Sequence, residues 1–343
     1  MKKIDLWIIS ALAGLCVFGF FNILGIKPEL AKNYLLFTCI GWVGFIITCR
    51  SRIPLLEQNY KLLYIVFIVL FLLTFVLGSQ DVGSTRWIPI FSFRFQTSEF
   101  FKPILILALA SVLSSADRYT PRKTLIAIGL FALPFLLVFL QPNLSSALIY
   151  LVTFMTMYYF SGLSTQAVAK VGALMALSLP VLWFFMKEYQ KARIIGFMNP
   201  NIDPQGLTYN INQSIISIGS GGFWGKGLGL GTQSRFQFLP EFHTDFAFAS
   251  LVEQFGFIGG FVVILLFALL IARLVQKIFA SKHDSFVYMY LIGTVALLMI
   301  EVTINIGMNM GLLPVTGIAL PFISYGGSSI LSTLILLGFA VAM

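Results

Sequence analysis

The chain has 343 residues, 58% hydrophobic and only 10% charged, against the roughly 25% charged residues usual in a soluble domain, which argues against any soluble globular class. A net charge of +9 would point a soluble protein toward nucleic acid, but the placement of the cations accounts for it without one. Cys16, Cys39 and Cys49 sit in or beside apolar runs without CxxC spacing, and His243 and His283 are the only histidines, so the sequence supports neither a disulfide framework, a zinc site nor a haem.

A helix needs about 20 apolar residues to cross a bilayer, and polar interruptions then mark the loops. Ten runs qualify in chain order: 6–25, 34–49, 62–78, 100–115, 124–140, 144–160, 168–186, 246–274, 286–310 and 318–343. The first is too long, and lacks the small-residue cleavage site, to be a removed signal peptide. Gln141-Pro142-Asn143 divides an apolar run that as one helix would be about 56 Å long, so two helices joined by a tight turn are expected there. With a cytoplasmic N-terminus, the inner short loops hold Lys2, Lys3, Arg50, Arg52, Lys61, Arg118, Arg122, Lys123, Lys170, Arg273, Lys277 and Lys282, and the outer ones only Lys27, Lys32, Arg86 and Arg94. Twelve against four orients the chain with its positive side inward. The expected fold is an all-α integral membrane protein, a single polytopic domain over 1–343, with ten transmembrane helices, both termini cytoplasmic and one large extracytoplasmic loop, about 187–245, before the eighth helix.

That loop is where chemistry is expected first, because long loops in compact proteins are usually functional or disordered. Tyr189, Phe197, Tyr209, Phe223, Trp224, Phe236 and Phe238 give it surface for packing, and Ile211 to Ile218 has the pattern of a short amphipathic helix. Its glycine-rich stretch from Gly219 to Gly231 fails the Walker A pattern, since Ser220 stands where the first glycine belongs and Gly227 where Ser or Thr belongs. Two readings stay open for it: tight turns against the membrane surface, or backbone N–H groups cradling a phosphate.

Asp245 stands at the start of the eighth span, either as a helix cap or as a general base at a membrane-surface cleft. Glu241-x-His243-x-Asp245 also has donor atoms for a divalent cation, the one cofactor the residues leave open. Glu99 and Lys102, three apart at the start of the fourth span, share a helix face and can pair, as a charge within the bilayer requires. Glu301, Asn305 and Asn309 recur every four residues in the ninth span as one polar stripe, either packing glue or a cavity wall. Glu253, eight residues after Asp245, lies about 80° round the same helix, an angle that allows it to face the same space.

A set of ordered motifs resembles the SEDS (shape, elongation, division and sporulation) family of polytopic cell-wall polymerases. They are Ser84-Thr-Arg-Trp-Ile88, Gln96-Thr-Ser-Glu-Phe-Phe-Lys102, Gln141-Pro-Asn-Leu-Ser-Ser-Ala147, Gln213-Ser214 with Ile218-Gly-Ser-Gly-Gly222, Gly225-Lys-Gly-Leu228 with Gly231-Thr-Gln-Ser234, Leu239-Pro-Glu-Phe-His-Thr-Asp-Phe246, and Pro314-Val-Thr-Gly through Ser324-Tyr-Gly-Gly-Ser-Ser329. Several are closer to the branch serving elongation and rod shape than to the division-specific branch. Thr97, Asn143 and Gln254 depart from the family's usual Pro, Asp and Glu. The resemblance implies a peptidoglycan glycosyltransferase that polymerises lipid II, with Asp245 as the essential acid. It implies that Glu99 and Lys102 line a central cavity, and that basic residues among Arg86, Lys187, Lys191, Arg193, Lys226 and Arg235 meet the leaving pyrophosphate. Glu241, His243, Glu301, Asn305 and Ser324 complete the expected substrate cavity. A class B penicillin-binding protein and the elongation machinery are the implied partners, with no nucleic acid, and the bacterial cytoplasmic (inner) membrane the implied location. A flippase for lipid-linked precursor is the alternative activity, and Asp245 separates the two, since a flippase needs no base at the outer mouth.

Overall fold

Only a helix or a closed barrel satisfies its own backbone in lipid, and each apolar run of this chain forms a helix over most of its described length. A computed structural model describes residues 5–51, 53–81, 84–90, 93–114, 121–162, 165–199, 206 and 208–343. Of the cations assigned to the inner loops, Lys2, Lys3, Arg52 and Arg118 lie outside these described residues. In chain order come α1 (Leu6–Ile26), α2 (Pro28–Cys49) and α3 (Ile53–Leu77), then strands β1 (Ser79–Asp81), β2 (Ser84–Ile90) and β3 (Phe93–Gln96). Helices α4 (Thr97–Leu113), α5 (Pro121–Leu140), α6 (Leu144–Phe160) and α7 (Thr165–Phe185) follow. The long loop contributes α8 (Glu188–Met198), α9 (Tyr209–Ser220) and the single turn α10 (Thr232–Arg235), and α11 (Ala247–Ala280), α12 (Ser285–Asn309) and α13 (Gly327–Ala342) close the chain. Among the described residues seven helices, α1, α2, α3, α5, α7, α11 and α12, are long and apolar enough to cross a membrane, while α6 and α13 are shorter apolar helices.

The boundaries follow local chemistry. Asp5 caps α1 by accepting from Trp7 N at 3.0 Å, Asp284 caps α12 by accepting from Val287 N at 3.2 Å, and Pro28 occupies the first turn of α2. The expected division at Gln141-Pro142-Asn143 is present, with Asn143 capping α6. Two expectations are corrected. The connection before α4 is a three-stranded antiparallel sheet in the order β1-β2-β3, so the chain is nearly rather than wholly helical; the strands are too short for their alternation to stand out between apolar helices. The last helix begins at Gly327 rather than near residue 318, because Pro314, Gly317 (φ 77) and Pro321 hold the preceding segment open. Both chain ends meet at one end of the bundle: Asp5 pairs with Arg273 at 2.8 Å, and Lys277 donates to the carbonyls of Ala340 and Val341 at 2.9 and 2.8 Å.

Helix α11 is interrupted at Gly256 (φ 67, ψ −168). The glycine-rich segment fills the interruption. Phe257 N and Ile258 N donate to the carbonyls of Gly222 and Phe223 at 2.9 and 3.3 Å, and Lys226 N and Gly227 N donate to the carbonyls of Glu253 and Gln254, both at 3.0 Å. The approach is so close that a Cβ on Gly225 would lie 2.1 Å from Gln254 O, and one on Gly256 would lie 2.3 Å from Gly225 N. The amides of Lys226, Gly227 and Gly229 are therefore spent on α11. Glu253, fully buried, pins the segment from the helix side by accepting from Gln233 N (2.9 Å), Ser234 N (3.2 Å), Ser234 Oγ (3.0 Å) and Lys226 Nζ (3.1 Å). It faces the glycine-rich segment and not the space before Asp245, which corrects the expectation from helical geometry. Gln254 uses both ends of its amide, accepting from Gly229 N at 2.9 Å and donating to Asn22 Oδ1 at 2.8 Å.

Gly225→Ala and Gly256→Ala each combine a positive φ with a backbone clash and are expected to cost at least about 3 kcal/mol. Gly219→Ala, a helical position with nothing within 4 Å of the new Cβ, serves as control. Denaturation of the three purified variants checks the contrast, and equal stabilities would refute the packing account.

Candidate active site

Asp245 lies in the turn that leads into α11. Glu241 adopts φ 48, and its carbonyl accepts from Thr244 N and Phe246 N, both at 3.1 Å, a strained conformation of the kind that clusters at functional sites. The Asp245 carboxylate does not cap the helix. The N-cap is Phe246, without a side-chain bond, and Ala249 N is met instead by Asn309 Oδ1 at 3.0 Å. The cap reading of Asp245 therefore gives way.

Three segments converge on this carboxylate at Gly317. A Cβ there would lie 3.1 Å from Asp245 Oδ2, 3.7 Å from Arg193 Nη1 and 3.7 Å from Ser145 Oγ. Arg193 comes from α8, where its guanidinium lies 5.9 Å from the Tyr189 ring centroid. Arg86 comes from β2 and donates to Gln141 O at 3.1 Å, to Pro142 O and to Tyr189 Oη at 3.2 Å. Tyr189 Oη and Gln190 Nε2 donate to the same Pro142 carbonyl at 3.0 and 3.2 Å, so the turn between α5 and α6 fastens both the arginine strand and α8. Ser145 Oγ donates to Thr316 O and ties the start of α6 to the segment before α13.

The electrostatics suit a base. Burial, with a smaller contribution from the Glu241 charge, pushes the Asp245 carboxyl up to about 6 against the opposing pull of Arg193 and Arg86. Burial lowers Arg86 from its ordinary value, while the Tyr189 and Asp245 oxygens raise it. Burial also lowers His243, with Lys27 adding to the effect. Its imidazole centroid lies 5.2 Å from the Phe242 ring and 6.2 Å from the Tyr325 ring, and among the described residues its Nδ1 has no partner.

The other expected site residues divide into three groups. Glu99 and Lys102 pair at 2.6 Å as their spacing indicates, and Glu301 joins them from α12, also at 2.6 Å from Lys102 Nζ. Glu301 thus leaves the stripe it was expected to form with Asn305 and Asn309, because its side chain reaches α4 while the two asparagines turn to the Asp245 segment. Lys226 is held by Glu253 and by Thr232 Oγ1 at 2.8 Å, so its charge belongs to the glycine-rich segment, and the cations acting on Asp245 are Arg193 and Arg86. Ser324 donates to Thr244 O at 2.6 Å, and Glu241 is exposed and accepts from Thr244 Oγ1 at 2.8 Å. Among the described residues no three His, Cys, Asp or Glu side chains converge as a metal-ligand group. Tyr189, Ser145 and Gly317 are site residues that sequence reasoning did not single out. Ser145 and Gly317 lie inside the quoted motifs, the one signal that marked them.

A family model described as a cell cycle protein, covering FtsW, RodA and SpoVE, matches residues 16–343. The chain is 39% identical over 307 residues to the peptidoglycan glycosyltransferase MrdB of Escherichia coli K12, an alignment spanning 89% of this chain and 82% of the relative. Among solved structures it superposes on a chain of a peptidoglycan synthase complex, described as coordinating polymerization and crosslinking, with a TM-score of 0.83 at 28% identity over 100% of this chain and 98% of that one. It also superposes on the rod shape determining protein RodA of Thermus thermophilus, with a TM-score of 0.75 at 26% identity over 99% and 96% of the two chains.

The buried cluster of Glu99, Lys102 and Glu301 carries two carboxylates on one ammonium. Lys102→Met leaves both acids without a counter-charge and is expected to destabilise the protein by about 3–5 kcal/mol. Combining it with Glu99→Gln and Glu301→Gln removes the stranded charges and should recover most of the loss. Adding Glu99→Gln alone should recover less, since Glu301 stays unpaired. Unfolding free energies of the single, double and triple variants check the order, and additive effects would show that the three do not interact.

Proposed function

This chain belongs to the FtsW, RodA and SpoVE family of cell cycle proteins, the SEDS family, and from that premise we infer that it is a peptidoglycan glycosyltransferase polymerising lipid II for elongation and rod shape, with Asp245 as its general base. The observation that carries the assignment of the base is the state of Asp245: a carboxylate outside the apolar helix, not used as a cap, raised toward neutrality and flanked by two guanidinium groups. In the reaction the acceptor sugar's 4-hydroxyl attacks the anomeric carbon of the donor, the bond to the lipid-linked pyrophosphate breaks, and Asp245 takes the hydroxyl proton. A base whose pKa lies near the working pH is more effective than one near 3.9. Arg193 and Arg86 supply positive charge where the pyrophosphate develops its own.

We place the chain in the bacterial cytoplasmic membrane with ten crossings. At 1.5 Å per residue, α4, α6 and α13 are about 25 Å long, close to the ~30 Å hydrocarbon core. The meeting of both chain ends at one end of the bundle fits an even number of crossings, and the excess of cations there puts that end in the cytoplasm.

A class B penicillin-binding protein is the proposed partner, its single transmembrane helix seated on α11 and α12. Support comes from an apolar groove of about 440 Å³ on that face, lined by Ile264, Val302, Ile306, Gly307, Met310 and Leu313. With the cognate partner co-expressed and the membranes extracted in mild detergent, the two are expected to co-purify, and recovery of this chain alone would count against the pairing.

Asp245→Asn keeps the size of the side chain but removes the base, and polymer formation from labelled lipid II is expected to fall by about 10² to 10⁴ with lipid II binding retained. A rate within about tenfold of wild type would reject the assignment, and translocation of lipid II between leaflets without polymer would favour a flippase. The wild-type rate should rise with pH up to about 6 and level off above it. Stability carries the opposite sign. The folded chain binds this proton more tightly than the unfolded chain, so ionisation above the raised pKa costs stability. Asp245→Asn should therefore be at least as stable as wild type at neutral pH, with the difference vanishing below about pH 4.

A further inference from the structure

Three consecutive carbonyls around Asp245 are each held by a donor from the last quarter of the chain. His243 O accepts from Tyr325 N at 2.8 Å. Thr244 O accepts from Ser324 Oγ at 2.6 Å. Asp245 O accepts from two side chains on α12, Asn305 Nδ2 and Asn309 Nδ2, each at 3.0 Å. All three side chains are buried, with Asn305 and Asn309 at 0% exposure and Ser324 at 3%, so none competes for these bonds with open solvent. Each also makes a second bond that holds it in place. Asn305 Nδ2 donates to Ile318 O at 2.7 Å, Asn309 Oδ1 accepts from Ala249 N at 3.0 Å, and Ser324 Oγ accepts from Leu320 N at 2.9 Å. Among the described residues the carboxylate itself has no comparable bond, so its place beside Arg193 and over Gly317 is set by the backbone that carries it.

We propose that Asn305, Asn309 and Ser324 are positioning residues for Asp245, a clamp from α12 and the segment before α13 that fixes the backbone of the catalytic turn and thereby aims the carboxylate. The proposal rests on the reading of Asp245 as the base. The physical reason lies in the turn's own geometry. A conformation strained at Glu241 (φ 48) persists only where the surroundings over-determine it, and the three clamped carbonyls supply that constraint. Asn309 serves two elements at once, since the amide that holds Asp245 O also meets the first turn of α11 through Ala249 N. Neither asparagine lines the substrate cavity in this reading, and Ser324 acts through Thr244 rather than on the sugar.

The test uses the full-length protein and labelled lipid II, with Asp245→Asn, Ser324→Ala, Ser324→Thr, Asn309→Ala and Asn309→Asp. Displacing a reacting group by about 1 Å costs up to 10²-fold, so Ser324→Ala and Asn309→Ala are expected to lower kcat by about 10- to 100-fold with KM for lipid II unchanged. Ser324→Thr, which keeps the hydroxyl, should restore most of the rate. Asn309→Asp keeps an acceptor for Ala249 N but loses the donor to Asp245 O, and should stay as slow as the alanine variant. A carboxylate released toward water returns toward the ordinary Asp range, so the acid limb of the rate in Ser324→Ala should move below about 6, a shift that general loss of stability does not produce. If Asp245→Asn is inactive while Ser324→Ala and Asn309→Ala stay within about twofold of wild type, or if the acid limb does not move, the clamp is wrong and the base assignment stands. If Asp245→Asn is active, the base assignment itself fails. Should Asn309→Ala not fold, the pair Ser324→Ala and Ser324→Thr decides the matter.

Discussion

Backbone amides in an apolar helix must be paired, and the interruption of α11 at Gly256 meets that requirement with another part of the same chain. Residues 222–227 supply the missing partners in both directions, as carbonyls for Phe257 and Ile258 and as amides against Glu253 and Gln254. The long loop before α11 is thereby bound to that helix by main-chain hydrogen bonds as well as by side chains. The polar pins beside the break serve the same end. Glu253 is buried because five loop donors meet it, and Gln254 is an amide because it must give a hydrogen bond to Asn22 and take one from Gly229. A glutamate at 254 would satisfy only the second of these.

The acids of the bundle then separate by how they are satisfied. Glu253 has its donors in Lys226 of the glycine-rich segment and in α10, and Glu99 and Glu301 share Lys102. These are the arrangements that make a buried charge tolerable, and they leave those groups committed to structure. Asp245 is different. It has opposing cations nearby in Arg193 and Arg86 but, among the described residues, no committed hydrogen bond, and its turn is fixed through the backbone. A perturbed acid in such a setting is a functional candidate.

The site is also a meeting of distant segments. Arg86 arrives on a strand, Arg193 on α8 of the long loop, Ser145 at the start of α6 and Gly317 from the segment before α13. The α5–α6 turn organises the first two, because the single carbonyl of Pro142 accepts from Arg86, Tyr189 and Gln190. The residues that depart from the family pattern take part in the same polar fabric. Asn143 bonds Ser98 and Ser146 as well as capping α6, and Thr97 meets Thr74 at 2.7 Å across α3 and α4.

Much of the fold was written in the local sequence. Long apolar runs specify helices in lipid because no other conformation pairs their amides, Asp5, Asp284 and Asn143 mark where helices begin, and Glu99 and Lys102 pair because a helix puts residues three apart on one face. The motif Leu239 to Phe246 marked the turn that carries Asp245. Local periodicity did not reveal the short sheet before α4, the open segment before Gly327 or the break at Gly256, since each depends on partners far along the chain. Nor did it separate Glu301 from Asn305 and Asn309, which lie on one stripe of α12 yet reach different neighbours, Lys102 on α4 for the first and the Asp245 carbonyl for the others. Helical spacing determines which residues share a face. Which hydrogen-bond donor or counter-charge stands opposite that face is decided only when the helices pack, because a buried polar group takes whatever partner the neighbouring element brings within about 3 Å.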